Sequence, residues 1–382
     1  MLKLLTIIGA RPQIIKAAAL SRAIQNSYSE KITEIIVHTG QHYDENMSQV
    51  FFDELNIPQP NYNLNVGSGS HGKQTASMIE GIEEILLKEK PNAIVLYGDT
   101  NSTLAGAIAA SKIQVPVVHI EAGLRSFNKS MPEEINRIMC DHVSTLLFSP
   151  TKVGYTNLLS EGFKENNKAP FTFDNPKIYH CGDVMYDNSL YFSTVAENTS
   201  SILTDNAIEK GKFILATIHR NNNTDEPERL NALFSAINKI VTENNITVVL
   251  PLHPRTAKLL PQNLNAELYS TVKTNKLIKI IPPVSFLEMI ALEKNAELVI
   301  TDSGGVQKEA FFFEKPCIIL RSETEWVELV ECGSAKITDA DEQKIIDAYR
   351  FFKDNKNLQF PKLFGNGKAS EFICSEILTH IK

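Results

Sequence analysis

The chain has 382 residues, more than one hydrophobic core usually serves, so we expect two domains. Hydrophobic residues make up 43% of the chain and charged residues 22%, which is typical of a globular protein. The formal net charge of −7 argues against a duplex nucleic-acid partner, because phosphate contacts need a concentrated basic face. It leaves open a small anionic ligand, which needs only a few Arg and Lys side chains.

Cysteine and histidine usage argues against a metal site and against disulfides. The five cysteines are scattered without C-x-x-C spacing. His38 and His42 are the one histidine pair at H-x-x-x-H spacing, and they lack the glutamate of an H-E-x-x-H motif. Residues 1–10 are strand-like rather than a signal peptide, and no stretch approaches the roughly 18 apolar residues of a membrane helix. We therefore expect a cytoplasmic protein with no metal, no other cofactor and no membrane partner.

The first half of the chain alternates short apolar runs with amphipathic segments. The predicted strands are residues 4–8, 35–37, 93–97, 115–120 and 146–149. The predicted helices are residues 13–24, 75–88, 102–113 and 133–143. Strands that are apolar throughout are buried on both faces, as in a parallel sheet. Strand–helix–strand repetition therefore predicts a doubly wound α/β domain.

A second series of the same kind follows a polar connection at residues 166–176, which carries two prolines. It begins with the apolar run 213–217, and a last amphipathic helix at 369–381 follows a Gly-containing stretch. We predict an α/β protein of two Rossmann-like, doubly wound domains with a cleft between them. The N-terminal domain would comprise residues 1–170 plus 366–382, and the C-terminal domain residues 171–365. Ligands of such folds bind at the carboxyl ends of the strands.

Basic side chains follow the first strand. Arg11 stands in the segment Gly9-Ala10-Arg11-Pro12-Gln13, and Lys16 lies one turn into the next helix. Pro suits the first position of a helix, and a helix N-terminus favours an anion. The alternative is that Arg11 and Lys16 are merely solvated.

Acidic side chains follow the next strands. Asp99 comes directly after a buried strand, where it either caps a helix or presents a carboxylate to the cleft. Glu121 stands at a strand exit, a costly place for a carboxylate without partners. Glu133 and Arg137 open a helix at i, i+4 spacing and are predicted to pair, although a surface ion pair is the alternative.

The second half carries its own candidates after strands. His219 ends one strand, as a phosphate or proton partner, and His253 ends the next. The turn Ser303-Gly304-Gly305 leads into a helix whose free N–H groups can cradle a diphosphate. Glu309 lies one turn into that helix, positioned to accept from ribose hydroxyls, and Arg321 adds a cation.

A second glycine-rich segment, residues 67–72, matches G-x-G-x-x-G before a helix. Its preceding run, residues 61–66, is polar and makes a poor buried strand. The first strand of the domain, where a dinucleotide fingerprint belongs, already has a different turn. The pattern therefore argues against a nicotinamide cofactor.

Several segments in order resemble the non-hydrolysing UDP-N-acetylglucosamine 2-epimerase family. They are GARPQIIK (9–16), GQHYDENM (40–47), GDTNSTLAG (98–106), HIEAGLRS (119–126), MPEEINR (131–137), TIHRNNNTD (217–225), TDSGGVQKEA (301–310) and ETEW (323–326). The resemblance implies a glycosyltransferase-B-like fold, a homodimer and a C-terminal UDP-binding domain. It also implies an isomerase that inverts C2 of a UDP-linked N-acetylamino sugar by eliminating and re-adding UDP.

The resemblance also assigns roles to residues. It implies acid/base work for Asp99, Glu121 and Glu133. Diphosphate binding and catalysis fall to Arg11, Lys16, Arg137 and His219. The UDP-binding positions are Ser303, Gly304, Gly305, Glu309 and Arg321, and we add His253 as a substrate contact. Gln41 and His42 match a segment that binds a second, allosteric UDP-sugar in some bacterial members.

The chain departs from the common family pattern in places. GTRPE is GARPQ here, so Gln13 replaces a carboxylate near the nucleotide. GARPQ, GQHYDENM and TEWVELV resemble more closely the branch acting on UDP-2,3-diacetamido-2,3-dideoxy-glucuronate. We therefore keep both this sugar and UDP-N-acetylglucosamine as substrates. A glycosyltransferase of the same fold and a hydrolysing epimerase remain as alternatives.

Overall fold

The computed structural model describes residues 1–40, 57–355 and 357–382. The chain divides into two compact units, Met1–Asn188 with Lys362–Lys382 and Ser189–Pro361. Each unit is built on one sheet in which every strand pair is parallel, with helices in most of the connections between successive strands. The predicted α/β class with two parallel sheets is confirmed.

The N-terminal sheet contains β1 (Leu2–Ile8), β2 (Ile32–His38), β3 (Tyr62–Asn63), β4 (Ala93–Tyr97), β5 (Val117–Ile120), β6 (Leu146–Ser149) and β7 (Lys177–His180). Its order is β3-β2-β1-β4-β5-β6-β7, so the direction of winding reverses between β1 and β4. Such a switch point opens a crevice at the carboxyl ends of the two strands, where ligands of doubly wound folds bind.

The C-terminal sheet contains β8 (Phe213–Thr217), β9 (Thr247–Pro251), β10 (Ile278–Ile281), β11 (Leu298–Thr301), β12 (Cys317–Ile319) and β13 (Ala335–Ile337). Its order, β10-β9-β8-β11-β12-β13, repeats the same winding, with the switch point between β8 and β11. His219 and Asp302 follow these two strands.

The helices of the described residues are α1 (Arg11–Ala23), α2 (His71–Glu89), α3 (Asn101–Lys112), α4 (Pro132–His142), α5 (Lys152–Ser160), α6 (Val184–Thr199), α7 (Ile202–Asp205), α8 (Asn221–Thr224), α9 (Pro227–Asn244), α10 (Pro254–Asn263), α11 (Ala266–Thr274), α12 (Phe286–Asn295), α13 (Gly304–Phe312), α14 (Val327–Glu331), α15 (Glu342–Asp354) and α16 (Ala369–His380). A π-helical turn, Ile24–Tyr28, extends α1. Within these residues, no helix is both long and apolar enough to span a membrane.

Burial explains why the central strands are apolar throughout. All residues of β4 in one unit and of β8 in the other are buried, because helices cover both faces of each sheet. Helix α3 packs very close to the first sheet: a Cβ built at Gly106 would lie 2.5 Å from the Leu96 side chain. This close approach fixes the N-terminus of α3 beside the end of β4.

The chain passes from the first unit to the second between Asn188 and Ser189, later than the boundary near 170 predicted from the sequence. Strand β7 follows the polar connection and pairs with β6, so it extends the first sheet. As an edge strand, β7 is only partly buried and lacks a continuous apolar run. The chain re-enters the first unit at Lys362, four residues before the expected 366.

Candidate functional site

Gln13 joins the two strands that flank the N-terminal switch point. Its side-chain oxygen accepts from the Gly9 and Ala10 N–H groups at 2.9 and 3.2 Å. Its amide nitrogen donates to the Tyr97 carbonyl and the Thr103 hydroxyl, both at 3.0 Å. The Gln13 side chain is buried. Gln13 therefore braces the ends of β1 and β4 against α3 from the interior.

Lys16 on α1 and Glu121 after β5 form an ion pair at this switch point. Their side chains are only 14% and 13% exposed, so solvent screens the pair weakly. Gly98, with φ of +62°, lies against both groups: a Cβ there would sit 3.2 Å from the Glu121 carboxylate and 3.2 Å from the Lys16 ammonium. A side chain at position 98 would crowd the pair.

The backbone of Glu121 is strained. Its φ is +75°, in the left-handed region that residues with a Cβ rarely adopt. The Glu121 and Ala122 N–H groups both donate to the Phe148 carbonyl, at 3.0 Å each, which holds this turn in place. Strain of this kind costs on the order of 1–3 kcal/mol and is often found at functional sites. Here it aims a carboxylate at Lys16.

Arg137 on α4 joins Asp99, after β4, to Glu134. The expected Glu133–Arg137 pair is wrong: the partner of Arg137 on its own helix is Glu134, at i, i+3. The Glu134 side chain is buried and also accepts from the Ser126 and Phe127 N–H groups, at 2.9 and 3.0 Å. Glu134 thereby holds the loop that precedes α4. The same two hydrogen bonds direct the Glu134 side chain, rather than that of Glu133, toward Arg137.

Glu133 is exposed and makes no hydrogen bond or ion pair with the residues that the structure describes. It stands in the first turn of α4, where the helix dipole favours a carboxylate. Its acid/base role stays a prediction.

A chain of side-chain amides on α2, α3 and α4 supports the Asp99 turn. Asn136 donates to the Asp99 carbonyl at 2.9 Å and to the Asn101 side chain at 3.2 Å. Asn101 in turn donates to Gln74 at 2.9 Å, and Gln74 donates to the Gly67 carbonyl at 2.8 Å. The glycine-rich segment 67–72, which comes after the edge strand β3, therefore contributes the Gly67 carbonyl to this network.

A buried ion network lies behind the two carboxylates. His119 on β5 contacts Asp141 through Nδ1 at 2.7 Å and the Gly98 carbonyl through Nε2 at 2.8 Å. Both partners are acceptors, so both ring nitrogens carry protons. Burial by itself lowers the pKa of His119, but the contacts with Cys140 and Asp141 raise it well above its usual value. The Asp141 carboxylate also pairs with Arg125 at 2.7 Å. The imidazolium fixes the turn that carries Asp99.

The C-terminal switch point is organised around Asp302. The hydroxyls of Thr217 and Thr301 hydrogen-bond at 2.5 Å across β8 and β11. Just beyond, Asp302 accepts from the His219 and Arg220 N–H groups, both at 3.0 Å, and from Asn223 at 3.1 Å. Burial raises the pKa of Asp302, but these donors and His219 outweigh it and hold the pKa below its usual value.

The ring of His219 is oriented by the same carboxylate. Its Nδ1 lies 2.9 Å from Asp302, whose side chain is fully buried, while the imidazole is 50% exposed. Nδ1 therefore donates to Asp302, and Nε2 is left for a ligand or a proton. This is the arrangement of a histidine held in one tautomer by a carboxylate.

The predicted anion-binding turn begins α13. Ser303 is its N-cap and accepts from the Val306 N–H at 3.4 Å. Arg321 donates to Glu325 at 2.7 Å, and that carboxylate lies against Gly304, where a built Cβ would be 2.2 Å from it. Trp326 donates from its indole to the Gly304 carbonyl at 2.9 Å. Arg321 and the residues after it therefore wrap the N-terminus of α13.

Glu309 lies beside that same first turn. A Cβ built at Gly305 would be 4.0 Å from its carboxylate, so the side chain points back toward the N-terminus of α13. His253 is the N-cap of α10 and accepts from the Arg255 N–H at 3.3 Å. Arg11 is the exposed first residue of α1. Gln41 and His42 lie outside the described residues.

Three residues of these sites, Glu134, His119 and Asp302, were not predicted from the sequence. A carboxylate that directly follows a buried strand, as Asp302 follows β11, was a usable signal. His119 had a weaker one, a lone histidine in an apolar strand. Nothing in the spacing distinguished Glu134 from Glu133.

Parallel sheets wound in both directions, with polar side chains gathered at each switch point, define an α/β protein of doubly wound units. The family model for UDP-N-acetylglucosamine 2-epimerase matches residues 24–378. The chain therefore belongs to the UDP-N-acetylglucosamine 2-epimerase family, as the motifs indicated, and its reaction class is that of an isomerase.

Individual relatives agree with this assignment. The chain is 49% identical over 373 residues to UDP-2,3-diacetamido-2,3-dideoxy-D-glucuronate 2-epimerase from Pseudomonas aeruginosa, covering 98% of each. It is 44% identical over 383 residues to UDP-N-acetylglucosamine 2-epimerase from Methanocaldococcus jannaschii, covering 100% of each. A solved structure of UDP-GlcNAc 2-epimerase from the same archaeon matches with a TM-score of 0.85 at 42% identity, over 99% of this chain and 100% of that one.

Proposed function

We propose that the protein reversibly inverts C2 of a UDP-linked N-acetylamino sugar, with acid/base groups supplied by Asp99 and Glu121. The observation that carries this proposal is the pair of contacts at the N-terminal switch point, Lys16 with Glu121 and Arg137 with Asp99. Two carboxylates follow adjacent parallel strands, each beside a cation, as a reaction needing two proton carriers and a stabilised anionic leaving group requires.

The chemistry explains why both kinds of group are needed. The C2 proton has no adjacent carbonyl and is not acidic enough for simple removal. Breaking the C1–O bond to UDP as the proton leaves gives a glycal-like intermediate and UDP. Proton return to the opposite face of C2, with the UDP oxygen re-forming its bond to C1, completes the inversion. Because the two steps use opposite faces, one carboxylate serves each face.

The nucleotide-binding roles fall to the C-terminal unit. The free N–H groups at the start of α13, with Ser303, Gly304 and Gly305, suit the diphosphate. Arg321 and His219 add positive charge or a proton, and Glu309 accepts from ribose hydroxyls. We further assign Arg11 to the leaving diphosphate, Glu133 to acid/base work and His253 to substrate contact. For Gln41 and His42 we keep the allosteric assignment.

A reaction run in deuterium oxide tests the mechanism. Epimerisation through C2 deprotonation must place solvent deuterium at C2 of both the product and the recovered substrate, which proton NMR detects. Epimerised product without deuterium at C2 would sink the proposal. A glycosyltransferase leaves C2 protonated, and a hydrolysing epimerase releases a free sugar with UDP, so the same spectra identify both rival reactions.

For the substrate we propose UDP-2,3-diacetamido-2,3-dideoxy-glucuronate. The GARPQ and TEWVELV segments and the 49% identity to the Pseudomonas enzyme support this choice. UDP-N-acetylglucosamine is the second candidate, supported by the 44% identity to the archaeal epimerase. Assaying the two sugars side by side decides between them. We expect the higher kcat/KM with the diacetamido glucuronate, and a higher value with UDP-N-acetylglucosamine would reverse the assignment.

We also propose that two copies associate as a homodimer through α4. Met131, the N-cap residue of α4, is followed at intervals of four residues by Ile135 and Met139, and the three side chains are 39%, 44% and 42% exposed. A contiguous exposed apolar row marks an association surface, and the family resemblance implies that the partner is a second copy. Light scattering should show Ile135→Glu as a monomer, whereas the exposed control Leu87→Glu stays dimeric. An unchanged mass for Ile135→Glu would exclude this surface.

A cytoplasmic location is our last assignment. All five cysteines lie in the described part of the chain and are free thiols there, as suits a reducing compartment. Fractionation of source cells with an antibody tests this assignment, and recovery of the protein from an extracytoplasmic fraction would contradict it.

A further inference from the structure

A buried carboxyl group lies behind the proposed ribose-binding residue. Glu293 belongs to α12, which packs against α13, and its side chain is fully buried. It occupies the core-facing row of α12 with Phe286 and Ile290, where an apolar residue is the ordinary choice. Such a position makes an ionised carboxylate costly by several kcal/mol.

The polar group that faces Glu293 is Glu309 on α13. Within the described residues, no N–H or O–H group donates to either oxygen of Glu293. Two ionised carboxylates are acceptors only, so they can hydrogen-bond to each other only if one of them holds a proton. The contact between Glu293 and Glu309 therefore requires a shared proton.

The surroundings decide which residue holds the proton. Burial and the negative charge of Glu309 raise the pKa of Glu293 well above its usual value. Glu309 is partly exposed and lies beside the first turn of α13, where the helix dipole stabilises negative charge. Glu293 is thus the protonated donor, and Glu309 is the ionised acceptor.

We propose that Glu293 is a positioning residue for nucleotide binding: its protonated carboxyl donates to Glu309 and fixes that carboxylate beside the N-terminus of α13. The proposal rests on the ribose-binding role of Glu309 proposed above. That hydrogen bond holds the Glu309 carboxylate toward the first turn of α13, where the ribose hydroxyls would reach it. A preoriented acceptor strengthens binding, because less rotamer freedom is lost when the nucleotide arrives.

Two substitutions separate positioning from packing. Glu293→Leu fills the same space without a donor, and Glu293→Gln keeps an N–H donor toward Glu309. Calorimetric titration of each full-length variant with UDP should show about a tenfold loss of affinity for Glu293→Leu. Glu293→Gln should stay within about threefold of the wild-type affinity. Thermal unfolding should show Glu293→Leu at least as stable as wild type, because an apolar side chain then fills an apolar layer.

A modified nucleotide tests the link to the ribose. With 2′,3′-dideoxy-UDP, wild type and Glu293→Leu should bind equally, because the hydroxyls that Glu309 accepts from are gone. Equal UDP affinity of Glu293→Leu and wild type would overturn the proposal, and so would an equal loss with both nucleotides. Glu309→Ala tests the underlying role separately, because it removes the acceptor: if it binds UDP as wild type does, the ribose assignment itself fails. A loss for Glu309→Ala without one for Glu293→Leu overturns only the role of Glu293.

Discussion

Glu121 meets the ammonium group of Lys16 while its own backbone is held at φ of +75°. The strain and the ion pair have a common result, a carboxylate fixed at the carboxyl end of β5 next to Gly98. A carboxylate on a relaxed backbone would point elsewhere. The proposed proton-transfer role of Glu121 beside a cation rests on this relationship.

Glu121→Gln should lower kcat by about 10²–10⁴-fold, because the amide keeps the shape but takes up no proton. The affinity for UDP should remain near wild type, since we assign UDP binding chiefly to residues of the C-terminal unit. Turnover by NMR and UDP titration by calorimetry measure the two quantities. Glu84→Gln, an exposed change on α2, is the control. Wild-type turnover in Glu121→Gln would remove this residue from the mechanism.

Gln13 should contribute to the stability of the fold, because its side chain makes four buried hydrogen bonds. Gln13→Ala leaves all four partners without it and should lower the free energy of unfolding by about 3 kcal/mol. Gln13→Glu still accepts from Gly9 and Ala10 and places its charge in the first turn of α1, where the helix dipole favours a carboxylate, so its loss should be smaller than that of Gln13→Ala. Thermal unfolding of both variants tests this order, and an equal loss would contradict it.

The His119 imidazolium should make stability depend on pH. Its pKa is raised in the folded protein, so its stabilisation is complete below the unfolded value of about 6.5 and is lost as pH rises through the folded value. The melting temperature of wild type should therefore exceed that of His119→Gln most at pH 6, and the difference should narrow toward pH 9. A difference that stays constant with pH would show that His119 is not charged.

Asp302→Asn should impair catalysis through His219. The amide can place an N–H where Nδ1 now donates, so the imidazole must turn or change tautomer. We expect kcat to fall by about 10²-fold. Nitrogen NMR of the ring should show the proton leaving Nδ1, with Asp347→Asn, an exposed change on α15, as the control. A fall in kcat without a change at the ring would assign Asp302 a different role.

The amino-acid sequence by itself determined the α/β class and the residues at the carboxyl ends of the strands. Apolar runs such as 93–97 and 213–217 can be recognised as strands in the sequence, because a strand covered on both faces must be apolar at every position. The ordered motifs then predicted the candidate site residues. Asp99, Glu121, His219 and Ser303 all stand where such a run ends or the next helix begins.

Only the tertiary structure decided which side chains meet. Arg137 pairs with Glu134 and Asp99 rather than Glu133, because the loop N–H groups of Ser126 and Phe127 hold the Glu134 carboxylate. Strand β7 joins the first sheet as an edge, where pairing does not require an apolar run. The proton that Glu293 shares with Glu309 likewise follows from burial and from packing between two helices. The spacing of residues along the sequence shows only the periodicity within one helix or strand. These contacts join elements that are distant in sequence, so the spacing does not predict them.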